Sequence, residues 1–360
     1  MFSIPTISWY SSEDGEGFYV PDRQILYYYD PKSQTKVPLC SQNGCSHSNN
    51  SCEAWLATDP QGFVSYKDMW YVISVEDSTH AVLWKIDYLS HERTKLCDIT
   101  PQDNQENYYF SSGYLSHGYA YLTLKHQLIW CEQVVEESSL VRINLANGTL
   151  ETLVEGVPVT FLGASPDRVL LAVETFSVPP LSKEDYVDLH PDGNYYAYLQ
   201  TQLTENGSGG VELREYTSDM SDYHVIAKGN VWCSSSLFLT RYGNYTLYAV
   251  DNTLYIYDLS AGESRQVVSD GLLRNYMIID EQIIFLLYDG NYTIYHTDVK
   301  GGPIYQHQND GVKDGAVFSV SGESQDYIYG PYRSEGGVSK GIISKDDFFA
   351  ERYENVIPIP

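Results

Sequence analysis

The chain has 360 residues and a formal net charge of −26, from 48 acidic against 22 basic side chains. A surface this acidic repels phosphate backbones and anionic lipid heads, which argues against nucleic acid and membrane surfaces as partners and leaves cationic or neutral ligands. No apolar run approaches the roughly 18 residues that span a bilayer, and a chain of this length buries a core without cross-links.

The first residues, MFSIPTISWYSSEDGEGFYV, have neither a basic n-region nor a long apolar h-region. They do not read as a signal peptide. A cytoplasmic protein is expected if Met1 is the native start, and an exported one if a leader was removed. Next comes QILYYYDPKSQTKVPLC, an alternating aromatic strand that ends at Asp30, a polar turn, and a second strand. Alternation of this kind marks half-buried strands.

The hairpin is followed by LCSQNGCSHSNNSC, within an inserted loop over 40–56. Its spacing is C-x4-C-x-H-x4-C: Cys40, Cys45, His47 and Cys52. Zinc takes four N or S ligands, and Cys3His is a common structural set. Gly44 and the asparagines supply the tight turns such a loop needs. Metal coordination would give a long loop a reason to be ordered. Two other readings stay open: a Cys45–Cys52 disulfide with Cys40 spare, or three ordinary thiols. Cys97, Cys131 and Cys233 stand alone in strand-like surroundings and read as small buried apolar residues.

The strand–turn–strand unit then recurs along the chain. Its strands end at Asp30, Asp87, Asn144, Tyr216, Asp258, Asp298 and Asp346. Recurrence of an acid there, at Asp30, Asp87, Asp258 and Asp298, points to a structural role, with the side chain accepting turn N–H groups. Most hairpins are preceded by two further strands, such as GFVSYKDMWYVISV. Four short strands per unit of roughly 40–50 residues is the spacing of propeller blades, whose faces are covered by stacking. The expected fold is all-β: one β-propeller domain over 1–360, of seven four-stranded blades, or six or eight if the long fourth unit is miscounted. The approximate blades are 1–40, 61–100, 108–156, 160–230, 231–271, 272–312 and 315–360. A pair of β-sandwiches is the alternative.

Helical periodicity is nearly confined to SKEDYVDLH and SKDDFFAERY. Residues 177–194 and 202–210 interrupt the rhythm with Pro-Pro, Pro-Asp-Gly and Gly-Ser-Gly-Gly, and read as loops. Tyr195 and Tyr196, in the loop-rich HPDGNYYAYL, are the candidate ligand-binding residues, since tyrosine faces stack on sugars and their edges hydrogen-bond.

No H-E-x-x-H or G-x-x-x-x-G-K-[ST] motif occurs, and no G-x-S-x-G elbow is expected. GASPDR at Gly163–Arg168 reads as a turn, and HERTK at His91 lacks a zincin's second histidine. The run LYYYDPKSQTKVPLCSQNGCSHSNNSCEAWL resembles a group of uncharacterised secreted or lipid-anchored β-propellers of Firmicutes, TolB-like or DUF5050-like, that share PLC-x4-C-x-H-x4-C. The resemblance implies an extracytoplasmic propeller behind a lipoprotein signal, although a lipidated cysteine is absent from this chain. It brings no catalytic residue.

The expected function is therefore a non-catalytic extracytoplasmic scaffold that presents a central pocket or loop face to a glycan, peptide or protein, with the Cys3His loop as a zinc clip. The rival is a carbohydrate hydrolase or lyase with acids in the central channel. A peptidase gate is set aside on length, because 360 residues leave no room for an α/β catalytic domain.

Overall fold

A computed structural model describes residues 10–11, 18–22, 24–55, 62–66, 69–75, 81–87, 90, 92–99, 107–130, 133–155, 159–206, 208–229, 231–232, 241–242, 244–288, 292–307, 320, 322–324, 326–334 and 337–359. Among them the strands form seven antiparallel sheets, six of four strands and one of five. Cys131, Cys233 and His91 lie outside the described residues. By internal contacts the chain divides into two compact units: Met1–Gln102 with Gln282–Asp298 and Gly302–Pro360, and Asp103–Glu281 with Val299–Gly301.

In the first unit, one sheet runs in sequence order through Tyr10–Ser11, Phe18–Asp22, Ile25–Asp30 and Thr35–Pro38. It is covered on both faces. Tyr19 and Leu26 pack on Trp70, Val72 and Ile86 of the next sheet, while Phe18, Val20 and Tyr29 pack on Tyr329 and Ile342 of the last. Edge-on aromatic pairs fix both seams: Tyr19–Trp70 at 5.0 Å and Phe18–Tyr329 at 5.6 Å between ring centroids. A thin sheet has two apolar faces, and neighbours on each side remove both from water.

The second unit repeats the scheme. Tyr121 and Leu140 of one sheet meet Phe161, Leu171 and Val173 of the next, with Tyr121 stacked on Phe161 at 4.4 Å. The other face of that sheet, through Leu162, Leu170 and Leu213, meets Tyr248, Tyr257 and Leu259. Each of these fully buried side chains contributes about 1.5–3 kcal/mol through lost apolar exposure.

Three of the junction acids act as expected. Asp30 accepts the Lys32 N–H at 2.8 Å, Asp87 that of Ser90 at 2.7 Å, and Asp258 those of Ser260 and Ala261 at 2.9 and 3.1 Å. Asn144 holds the Ala146 N–H at 2.9 Å in the same way. Two positions are corrected. The fourth third-strand ends at Thr217, one residue beyond Tyr216, and Thr217 Oγ1 takes the Asp222 N–H at 3.2 Å. In the last sheet Asp346 lies inside a short helix, Lys345–Phe349, capped by Ser344. Ser165 N–H donates to the Arg168 carbonyl at 2.9 Å, so GASPDR is indeed a turn.

Within the loop at 177–194 the segment SKEDYVDLH forms a helix as expected, and a longer, unexpected helix follows it. Lys183–Leu189 is capped by Ser182, whose hydroxyl accepts the Asp185 N–H at 3.0 Å. Tyr195–Asn206 is started by Asn194, which accepts the Ala197 N–H at 3.0 Å. The Asn cap and the Ala, Leu, Gln and Glu residues of the helix outweigh the turn chemistry of Pro191-Asp192-Gly193 just before it.

Candidate metal centre

The inserted loop leaves the first sheet at Pro38 and returns to it at Trp55, which bridges to Ile25. Leu26 N–H donates to the Ala54 carbonyl at 2.8 Å, and Leu39 N–H to the Leu26 carbonyl at 2.9 Å. Both ends of the loop are thus pinned to one strand. Between them Gly44 takes φ +76°, in the left-handed region where a side chain is disfavoured, and His47 takes φ +52°. Asn49 accepts the N–H and hydroxyl of Ser51 at 3.0 and 2.6 Å. These turns fold the loop back on itself.

The result is a cluster. One ligand atom from each of Cys40, Cys45, His47 and Cys52 lies within 4.8 Å of all the others. All three cysteines are free thiols, so the Cys45–Cys52 disulfide is not formed. His47 Nδ1 stands 3.4 Å from Cys52 Sγ. A tetrahedral zinc with bonds of about 2.0 Å to nitrogen and 2.3 Å to sulfur sets those atoms about 3.5 Å apart. The donor set and its spacing therefore fit a metal ion.

The electrostatics favour the same use. Cys52 is buried among Ile25 and Ala54, and burial pushes its thiol up to about 12. Burial also opposes ionisation of Cys40, but backbone N–H groups of Gln42 and Glu53 and the neighbouring thiols outweigh it and lower its pKa. A thiol that resists ionisation alone becomes a thiolate when a cation supplies the compensating charge.

A surrounding layer holds the ligands in place, and the motif alone did not reveal it. Glu53 Oε2 accepts the N–H and hydroxyl of Ser41 at 2.7 and 2.9 Å, bracing the residue after Cys40 against the one after Cys52. Arg93, from the strand Arg93–Asp98, donates through Nη2 to the Cys52 carbonyl at 3.3 Å and to the Glu53 carbonyl in a shorter bond. The sequence signal was an arginine at the start of a strand, which by itself names no partner.

Tyr195 and Tyr196 are far from this loop in sequence and sit in the first turn of their helix. Tyr195 hydroxyl donates to the Leu181 carbonyl at 3.0 Å, and its ring packs on Tyr186 at 5.7 Å. Lys183 Nζ donates to the Tyr196 hydroxyl at 3.1 Å and lies over that ring. Both rings knit the two helices together. Cys97 is half-buried, with burial raising its pKa to about 11, as for an inert structural thiol.

No family model matches the chain, and no curated protein does. Solved structures do. A puromycin-hydrolyzing peptidase of Mycobacterium tuberculosis aligns over 98% of this chain and 53% of its own, with 11% identity and a TM-score of 0.54. The acylaminoacyl peptidase of Pyrococcus horikoshii aligns over 94% and 49%, with 8% identity and a TM-score of 0.53. The β-propeller domain of the Trilobed protease from Pyrococcus furiosus aligns over 95% and 94%, with 10% identity and a TM-score of 0.50.

The chain spans about half the length of the first two peptidases. These neighbours correct the functional expectation. The matching folds occur in peptidases, which overturns the expectation of a non-catalytic scaffold or a carbohydrate hydrolase or lyase. The length objection to a peptidase falls with them, because the match covers only part of each enzyme. Of the fold the likeness leaves a plain statement: the chain is a β-propeller.

Proposed function

We propose that this chain is the propeller portion of a peptidase-related protein, where it admits and positions short peptides for a hydrolytic centre outside it. One observation carries the proposal: 94–98% of the chain aligns with about half of two different peptidases. The G-x-S-x-G run at Gly337–Gly341 lies within the single strand Gly337–Ser344 and not at a strand-to-helix elbow, and the sequence has no zincin motif, in keeping with that division of labour. Four-stranded sheets that bury their faces on each other leave their connecting loops to carry recognition.

The Cys40–Cys45–His47–Cys52 cluster serves this role as a structural zinc clip. All four positions are protein ligands, as in closed structural sites, whereas catalytic zinc keeps one position open. The ion would be held by the three sulfurs and the His47 ring, fixing a loop that crosses from the first sheet toward the second. The TolB-like secreted group with the PLC-x4-C-x-H-x4-C motif, and its extracytoplasmic location, belong to the same proposal and are supported by Cys40, Cys45, His47 and Cys52.

The test is enzymatic. The protein is purified with any segments or subunits that accompany it and offered unblocked aminoacyl and dipeptidyl amides, alongside a large folded substrate. Cleavage of the short peptides alone supports the proposal. Absence of cleavage, together with absence of short-peptide binding to the chain, rejects it.

A further inference from the structure

Next to the clip lies a cavity of about 180 Å³. Trp55, Trp84, Val72 and Ile86 form its apolar walls. Asn50, Ser74 and Arg93 supply its polar groups. We propose that this cavity is a binding site for a single aromatic ring bearing a hydrogen-bond acceptor, a carboxylate or carbonyl.

Size sets the first limit. A cavity of about 150 Å³ takes up benzene, so this one holds one six-membered ring with a short substituent, and little more. Wall chemistry sets the second. Two indoles present aromatic faces and edges, which favour another ring over an aliphatic group of equal volume.

The walls are fixed before any ligand arrives. Trp84 Nε1 donates to Ser74 Oγ at 2.9 Å, and Ser74 is only 1% exposed, so the indole cannot swing without leaving a buried hydroxyl unpaired. The Trp55 backbone is held by its bridge to Ile25 and by its main-chain N–H, which donates to the Cys52 carbonyl at 3.0 Å. A preorganised pocket gives up less ordering entropy on binding.

Charge sets the third limit. Arg93 uses Nη2 to tie down the Cys52 and Glu53 carbonyls, and Arg93 also lines the cavity. A half-buried guanidinium favours an acceptor oxygen, most strongly an anionic one. Asn50, on the exposed rim, adds an amide that donates or accepts. Asn50 and Trp55 flank Cys52 in sequence, so the clip holds one side of the pocket.

The ring could come from a free aromatic acid or from an aromatic residue of a peptide, and the site is independent of the peptidase proposal. Calorimetry and ligand-observed NMR on the full chain would use 3-phenylpropionate, N-acetyl-L-phenylalaninamide and N-acetyl-L-leucinamide as probes. Saturable binding of either aromatic probe with Kd below about 1 mM is expected. The stronger of the two aromatic probes identifies the source. The leucine probe should bind at least about tenfold more weakly. Asn50→Ala, at an exposed position, should weaken binding about threefold. Trp84→Leu should weaken it by about tenfold or more. If Trp84→Leu does not fold, Asn50→Ala decides alone. Absence of saturable binding, equal affinity for the leucine probe, or affinity unchanged by every folded variant overturns the proposal.

Discussion

His47 Nδ1 stands 3.4 Å from Cys52 Sγ, across the narrow end of a loop that starts and finishes on one strand. The contact joins a residue in left-handed backbone to a cysteine only 2% exposed. Neither a weak S–H donor nor an isolated imidazole explains why three thiols and a ring should converge there; the arrangement is one that could hold a cation.

Zinc content follows from that convergence. Metal-replete protein should carry one zinc per chain by elemental analysis, and all six cysteines should titrate as thiols once the protein is chelated and denatured. Cys45→Ser should lose the metal and lower Tm by about 5 °C or more. Protein without metal, or with fewer than six titratable thiols, would refute the clip.

A second expectation concerns Glu215, whose carboxylate is 6% exposed in the other unit. Arg168 Nη1 reaches its two oxygens at 3.1 and 3.2 Å, and Tyr257 hydroxyl donates to it in a short bond. Burial, then the carboxylate itself, raises the Tyr257 pKa, so the phenol stays a donor throughout the neutral range. Tyr257→Phe should cost about 1–3 kcal/mol in urea denaturation, because a buried carboxylate loses one of its donors. Gly262→Ala acts on the same network: at φ +71° a Cβ would be strained and would meet the Arg168 guanidinium. A loss of about 1–2 kcal/mol is expected there. If neither substitution shifts the denaturation midpoint, the network is not structural.

The third expectation is a pH dependence from His307, which is 1% exposed. Its Nε2 pairs with His296 Nδ1 at 2.9 Å and its Nδ1 with the Tyr353 hydroxyl at 3.3 Å. Burial, and then the neighbouring His296, lower its pKa from 6.5 to about 4. Because the folded pKa is the lower one, the unfolded chain takes up the proton first as pH falls. This contribution is complete above about pH 6.5 and is lost between there and about pH 4, to a total of about 3 kcal/mol. His307→Phe should flatten the acid limb of a stability–pH curve. An unchanged slope would remove the histidine pair from the account.

How much of this was legible beforehand depends on the range of the interaction. The cysteine–histidine spacing is local, so Cys40, Cys45, His47 and Cys52 could be read together, and their convergence is what the structure shows. The strand-end acids are local too, and Asp30, Asp87 and Asp258 hold their turns as expected. A companion signal four residues earlier went unread. Leu83, Leu140, Leu213 and Leu254 each sit at a register shift between the third and fourth strands of their sheets, and each is fully buried. A bulge sharpens the strand's twist just where the sheet turns its edge.

The longer-range features were out of reach. Nothing in HERTKL says that Arg93 will reach back 40 residues to the Glu53 carbonyl. Nothing in ELREY pairs Glu215 with Tyr257. The helix Tyr195–Asn206 was hidden because its tyrosines follow a turn, and the Asn194 cap that starts it is also turn chemistry.

Peptide hydrolysis by the purified protein, with whatever segments or subunits travel with it, tests the central proposal most directly. Release of amine from unblocked aminoacyl and dipeptidyl amides, with a large folded protein left intact, is the expected result. A preparation that cleaves no peptide amide, and whose propeller binds no short peptide, would contradict it.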